Sequence, residues 1–183
     1  MDNINQEILH RCRQGDKEAF RTVVQTYQRM IFALAARLLC NEEDAKDVVQ
    51  ETFIKVWVNL EHYDETQNFR TWIYTIATRL CIDHLRQRSW TEPMPEDEER
   101  FALYVAEEKS DLQLENAQLL GIIHTLVARL SPKQRLVFTL VCLENLPTSE
   151  VARITGLDAA KIKSNLYVAR HTIQEQLKRL GYE

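Results

Sequence analysis

Apolar residues recur along this chain at steps of three and four, in blocks separated by polar breaks. Phe20, Val23, Val24, Tyr27, Ile31, Leu34, Ala35 and Leu38 form the first long block. Ala45, Val48, Val49, Thr52, Phe53, Val56 and Trp57 form the second, and Phe69, Trp72, Ile73, Ile76, Ala77, Leu80 and Leu85 the third. Each spacing predicts an amphipathic helix with one buried face. Asp16, just after Gly15, is placed to cap the first of these helices. Asn41 is placed to cap the second, with Glu42, Glu43 and Asp44 favourably set in its first turn. With a shorter helix over residues 4–14, the blocks predict a small N-terminal bundle.

A second set of blocks begins after residue 113. Leu119, Ile122, Ile123, Leu126, Val127 and Leu130 define one helix. Ser131, Pro132 and Gln134 then write a new helix start, with serine as cap, proline at the first position and glutamine closing a capping box. Pro147 is expected to end the apolar run over 136–143, and a short helix should follow from Thr148. Within PTSEVARITGLDAAKIKSNLYVAR, residues 147–170, Ala152, Gly156 and Ile162 have helix-turn-helix spacing. The alanine permits a close crossing, Gly156 supplies a positive φ, and Val151, Leu157 and Leu166 are expected to complete the core. Asp158 can cap the second helix. Its outward residues Lys161, Lys163, Ser164, Asn165, Tyr167 and Arg170 can all donate to phosphates or base edges.

Composition narrows the fold class to all-α. Four glycines and four prolines among 183 residues are too few for the many tight turns of a sandwich or barrel. The four cysteines, Cys12, Cys40, Cys81 and Cys142, include no CxxC pair, so no zinc knuckle or redox motif is written and they read as small buried hydrophobes. The N-terminal MDNINQEILHRCRQGD lacks the cationic start and apolar run of a secretory signal. The most apolar stretch, residues 30–40, is interrupted by Arg37 and falls short of the ~20 residues of a membrane span. A cytoplasmic protein with no membrane insertion is expected.

The net charge of −4 argues against a nucleic-acid partner only until it is divided along the chain. Residues 1–88 hold 12 basic and 13 acidic side chains, residues 89–115 hold 2 and 9, and residues 116–183 hold 9 and 5. The acidity therefore sits in one middle segment that includes TEPMPEDEER, and the last third is basic. Proline at 93 and 95 blocks a helix there, so the segment reads as an acidic flexible linker. Two small helical domains result, at residues 1–90 and 114–183, joined by a linker over 91–113.

The polar faces carry two further patterns. Asp44, Asp47 and Glu51 lie at i, i+3 and i+7, beside Gln50, and make an acidic stripe suited to a basic partner. Thr75, Arg79, Ile82 and Arg86 lie at i, i+4, i+7 and i+11, and make an unpaired arginine stripe that could track phosphates.

Read together, these segments resemble bacterial RNA polymerase sigma factors of the extracytoplasmic-function group, which retain the second and fourth conserved sigma regions. GDKEAFRTVVQTY at 15–27 is similar to the opening of the second region, DAKDVVQETFIKVW at 44–57 to its polymerase-binding helix, and NFRTWIYTIATRLCIDHLRQR at 68–88 to its −10 recognition and melting helix. LSPKQRLVF at 130–138 and the helix-turn-helix resemble the fourth region. The resemblance implies a dissociable initiation factor, not an enzyme, with core RNA polymerase and promoter DNA as partners. An anti-sigma factor is a further family expectation. No metal, cofactor or small-molecule substrate is implied.

By position, the resemblance places polymerase binding on Asp44, Asp47, Gln50 and Glu51. It places −10 contacts on Asn68, Arg70, Arg79 and Arg86, and a pocket for a flipped base in the loop over about 62–68. It places −35 contacts on Lys161, Lys163, Ser164, Asn165, Tyr167 and Arg170. Trp72 falls on an aromatic position of the −10 helix and also fits the core face. Pro147, Asn165 and Val168 depart from the family pattern, the last two where arginine is common. A stand-alone helix-turn-helix regulator is the alternative, and it leaves the N-terminal motifs idle. A carboxylate-bridged metal enzyme finds only one Glu-x-x-His motif, Glu7 with His10, where two are needed.

Overall fold

The computed structural model describes residues 4–88 and 114–182, and the expected acidic linker over 91–113 lies outside the described residues. The chain divides into two compact units, residues 1–88 and 89–183. Every regular element among the described residues is helical.

In the first unit, α1 (Gln6–Arg13), α2 (Lys17–Leu39), α3 (Glu42–Asn59) and α4 (Phe69–Arg88) pack as a bundle, with α2, α3 and α4 in mutual contact and α1 against α2. The sequence sets the starts of these helices. Asn5 Oδ1 accepts from Glu7 N–H, Asp16 Oδ1 from Glu18 and Ala19 N–H, and Asn41 Oδ1 from Asp44 N–H. Each bond satisfies a donor that has no partner within its own helix. Between α2 and α3 the chain reverses through Cys40, at a left-handed φ of 51°, and Asn41.

Val23, Ile31, Leu34, Leu38, Val48, Val56 and Ile73 are fully buried. Each such side chain contributes roughly 1.5–3 kcal/mol on burial, so this interior is the main source of the unit's stability. Val24, Val49, Trp57 and Ile76 were expected inside and are only half-buried, because they stand at the borders of their apolar faces. Phe20 is half-buried too, and packs edge-on against Trp57 with ring centroids 4.7 Å apart.

The second unit holds α5 (Leu114–Ala128), α6 (Pro132–Phe138), α7 (Thr148–Thr155) and α8 (Ala159–Arg179). Leu126, Val127, Leu130, Phe138, Ala169 and Ile173 form its core, so α8 packs across α5 and α6. Gln134 accepts from the N–H of Ser131 at 3.3 Å, closing the expected box at the start of α6.

Two expectations need correction here. The apolar run after Leu136 is not stopped by Pro147: α6 widens into a π-helical turn over Thr139–Leu143, and Asn145, at φ 54°, takes the chain out of the helix first. In the helix-turn-helix, Leu166 packs half-buried against the core as expected, but Leu157 is half-buried in the turn, whereas Ile154 is buried, as are Val151 and Ile162. The reason is spacing: Ile154, three residues after Val151, shares its inward face, and Leu157 lies in the turn beyond.

Candidate polymerase and promoter surfaces

On α3 the buried face runs through Ala45, Val48, Thr52 and Val56. At about 100° per residue, the opposite face carries Asp47, Gln50 and Glu51. Asp47 and Gln50 are exposed, and half-buried Glu51 pairs with Lys55 at 3.2 Å. Asp44 stands half-buried in the first turn. The same stripe continues through Ile54, 63% exposed, and Val58, 67% exposed. The structure thus extends the expected acidic stripe into an apolar one. Ile54 and Val58 could have been found in the sequence, since both are large apolar residues off the buried period of their helix.

The loop between α3 and α4 is built from a 3₁₀ turn, Leu60–His62, and an ordered strap that follows it. Buried Tyr63 anchors the strap: its ring packs against Phe69 and Trp72, at centroid distances of 5.2 and 4.9 Å, and its hydroxyl donates to the carbonyl of Gln67. Asp64 Oδ1 accepts from the N–H and the hydroxyl of Thr66 at 2.9 and 2.8 Å, which holds its carboxyl below the ordinary range. Asn68 Oδ1 accepts from Arg70 N–H at 2.9 Å and begins α4. Thr66, Gln67 and Asn68 remain exposed along the outer edge of the strap.

The four residues expected at the −10 element do not share one face. Arg70 lies about 180° around α4 from Arg79, with Nε 3.2 Å from the sulfur of Met30 on α2. Arg79 and Arg86 do share the outward stripe with Thr75 and Ile82, and both arginines are exposed. The stripe is not unpaired as expected, because Arg86 sits 3.6 Å from Asp83, one turn back. Trp72 is half-buried at the edge of this stripe, against Tyr63 rather than deep in the core.

In the second unit Gly156, at φ 72°, turns the chain between α7 and α8. Asp158 Oδ1 accepts from Lys161 N–H at 2.8 Å, and the Lys161 ammonium lies 2.9 Å from the same carboxylate. Those contacts, the backbone one foremost, hold the Asp158 carboxyl below its ordinary range.

The six outward residues of α8 separate into two sides. Lys163, Tyr167 and Arg170, at i, i+4 and i+7, form one exposed stripe, with Tyr167 72% exposed. Lys161 and Asn165 lie on the other flank, about 160° from Lys163. There Asn165 donates to the carbonyl of Lys161 at 2.8 Å and is half-buried. Exposed Ser164 stands between the two sides. Arg170 also reaches the sulfur of Cys142 at 3.5 Å. His171, which the sequence reading passed over, stands on the outermost line of the helix, with its ring 6.3 Å from that of Tyr167.

No helix among the described residues is long and apolar enough to cross a membrane. Nor do three or more histidine, cysteine, aspartate or glutamate side chains gather into a metal-sized group among them.

Comparison with known proteins gives these surfaces a family. The family described as Sigma-70 region 2 matches residues 23–91, and Sigma-70, region 4 matches residues 120–173. The chain is 28% identical to the ECF RNA polymerase sigma factor SigW of Bacillus subtilis over 190 aligned positions, covering 98% of this chain and all of that protein. It is 29% identical to the RNA polymerase sigma-H factor of Pseudomonas aeruginosa, covering 96% of this chain and 95% of that one. Among solved structures, the sigma factor RpoE of Bartonella quintana, in complex with the anti-sigma factor NepR, shares the fold at a TM-score of 0.64 and 21% identity, covering 87% of this chain and 96% of that one. A stand-alone regulator accounts for the second unit alone and leaves the region 2 match without a role. With both regions in order and relatives matched over nearly their whole length, the chain belongs to the extracytoplasmic-function group of RNA polymerase sigma factors.

Proposed function

We propose that this chain acts as a dissociable, non-enzymatic initiation factor in the cytoplasm. Its first unit docks on core RNA polymerase and opens the −10 element, and its second unit reads the −35 element as duplex. The observation that carries the reading is the outward face of α3. A helix that buries a full apolar face and still exposes Ile54 and Val58 next to Asp47, Gln50 and Glu51 has surface to give to a partner. That partner must offer basic and apolar groups together.

The two domains are residues 1–90 and 114–183, with the acidic segment over 91–113 as tether. Two readers on one tether act through effective concentration, so each can bind weakly alone. On the −10 side, the strap over 63–68 takes an extruded base, with Asn68 at its edge. Arg79 and Arg86 follow the phosphates, and Arg70 steadies the strap side of the helix. Extruding a base costs a few kcal/mol of unstacking, which contacts to the single strand must offset. On the −35 side, Lys163, Tyr167 and Arg170 enter the major groove with Ser164, while Lys161 and Asn165 shape the start of α8 and graze the backbone. An anti-sigma partner fits the same reading, since covering the α3 face or the α8 stripe would silence the protein.

Co-elution with core RNA polymerase, followed by run-off transcription from a library of genomic promoters, tests the reading. Binding with selective initiation is expected. Binding to duplex DNA without any affinity for the polymerase would overturn it.

A further inference from the structure

The strap between α3 and α4 is held from outside the segment that matches sigma region 2. Arg13, at the end of α1, lies ten residues before that match begins at residue 23. Its guanidinium reaches three separate points on the loop. Nε donates to the carbonyl of Leu60 at 3.2 Å, Nη2 donates to the carbonyl of Tyr63 at 2.8 Å, and Nη1 pairs with the carboxylate of Glu65. These partners lie 47, 50 and 52 residues further along the chain.

The planar fork of an arginine suits this task, because its donors leave in fixed directions and bind three acceptors without reorganising. Two of the three are backbone carbonyls, one at each end of the 3₁₀ turn. That of Leu60 already accepts from Tyr63 N–H at 3.2 Å and gains a second donor from Arg13, and that of Tyr63 lies just past the turn. The chain of contacts continues inward. Tyr63, fixed through its carbonyl, fixes Gln67 through its hydroxyl and presents its ring to Phe69 and Trp72. The guanidinium also neutralises Glu65, which would otherwise stand beside Asp64 as a second uncompensated carboxylate in the path of a phosphate backbone.

We propose that Arg13 is a positioning residue for promoter opening: it holds the 63–68 strap in the one shape that receives an unpaired base. This rests on the reading of the strap as the base-binding loop. Arg13 does not touch the base, and it acts through Tyr63 and Glu65. Preorganisation of this kind lowers the cost of ordering the loop when the strand arrives.

The test uses the full chain assembled with core RNA polymerase. The variants are Arg13→Ala, Arg13→Lys, Glu65→Gln and, as a control on the same helix, Arg11→Ala, whose side chain pairs with Asp16 rather than with the strap. Three affinities are measured for each: for core polymerase, for a duplex carrying only the −35 element, and for a single-stranded non-template −10 oligonucleotide bearing a fluorescent base. Arg13→Ala is expected to lose about tenfold in single-strand affinity, the loss that follows from charge-assisted bonds to the backbone. Its affinities for core and for the −35 duplex should stay within about twofold of wild type. Arg13→Lys should recover only part of the loss, because an ammonium cannot reach three acceptors at once. Glu65→Gln, which keeps both carbonyl contacts, should lose less than Arg13→Ala, and Arg11→Ala should match wild type. Single-strand binding by Arg13→Ala equal to wild type overturns the proposal. So does a loss shared in equal proportion by all three affinities, which would mean a loosened bundle. If the wild-type holoenzyme itself ignores the oligonucleotide, the reading of the strap fails, and the proposal fails with it.

Discussion

Buried Arg135 donates from Nη2 to the carbonyl of Ala128 at 2.5 Å, and thereby closes the C-terminal end of α5. The same nitrogen reaches the carbonyl of Leu130 at 3.3 Å. Helices leave their last carbonyls without intrahelical partners, and here a side chain of the next helix supplies the donor. At 7% exposure the guanidinium has little water to turn to. Replacing Arg135 with methionine should cost the second unit about 2–3 kcal/mol, since it strands buried carbonyls. Chemical denaturation of the full chain should show the loss in the second unit, with the first unit's transition unmoved.

The α3 face makes the opposite kind of prediction. Ile54 and Val58 contribute little to folding where they stand, so serine at both positions should change stability by no more than about 0.5 kcal/mol. The same double variant should weaken core polymerase binding by about tenfold or more, as should Asp47→Ala with Glu51→Ala. Titration calorimetry against core, run beside thermal melts, separates the two effects. A drop in melting temperature that tracks the loss of binding would count against a docking role.

On α8, Lys163→Ala should lower promoter affinity by about 1–3 kcal/mol if its ammonium reaches a base edge. Lys161→Ala should cost less, because that ammonium is already committed to Asp158 and stands on the other flank. Anisotropy measurements with −35 variants, repeated over a range of salt, distinguish base reading from phosphate contact. Equal losses for the two lysines would refute the separation of the helix into sides.

The Asp158 cap gives a pH dependence with a definite sign. Its carboxyl titrates below the ordinary value of 3.8 in the folded chain, first because of the Lys161 N–H and then because of the Lys161 side chain. The cap therefore stabilises the start of α8 fully above the unfolded value, and that contribution disappears as pH falls through the lower folded value. Amide protection in the first turn of α8, taken relative to the intrinsic exchange rate at each pH, should be constant near neutrality and fall below about pH 4. In Asp158→Asn this acid step should vanish.

The thiols should divide by burial. Cys81 is fully enclosed, and burial pushes its thiol far above the ordinary range; Cys12 is shifted the same way for the same reason. Neither should react with an alkylating reagent while the chain is folded, whereas half-buried Cys40 and Cys142 should react first. Mass spectrometry of briefly labelled protein checks this, and early labelling of Cys81 would show that the bundle opens.

What the sequence made legible was local. Asp16, Asn41 and Asp158 cap the helices they were expected to cap, because a cap and its donors lie within three residues of each other. Gly156 could be placed for the same reason. The Arg13 clamp left no comparable trace, since its acceptors are distant, and carbonyl groups look alike in every sequence. Arg135 was hidden by its type: a charged residue counts as surface until its donors are seen to serve the helix before it. Asn165 shows a third obscurity, because an amide that could face DNA can instead bond to its own helix one turn back. Ile54 and Val58 are obscure for a simpler reason: an apolar residue off the buried period is read as incidental until its exposure beside the acidic stripe is seen.

The two-sided use of α3 has a consequence for how the protein can change over evolutionary time. Ala45, Val48, Thr52 and Val56 are held by the interior, while the proposed docking role would hold Asp47, Gln50, Glu51, Ile54 and Val58. Drift is left to flanking positions such as Lys46 and Lys55, whose ammonium groups pair with neighbouring glutamates on their own helix. A genome that carries several such factors competing for one polymerase should therefore vary this helix least, and place its differences between factors on α8.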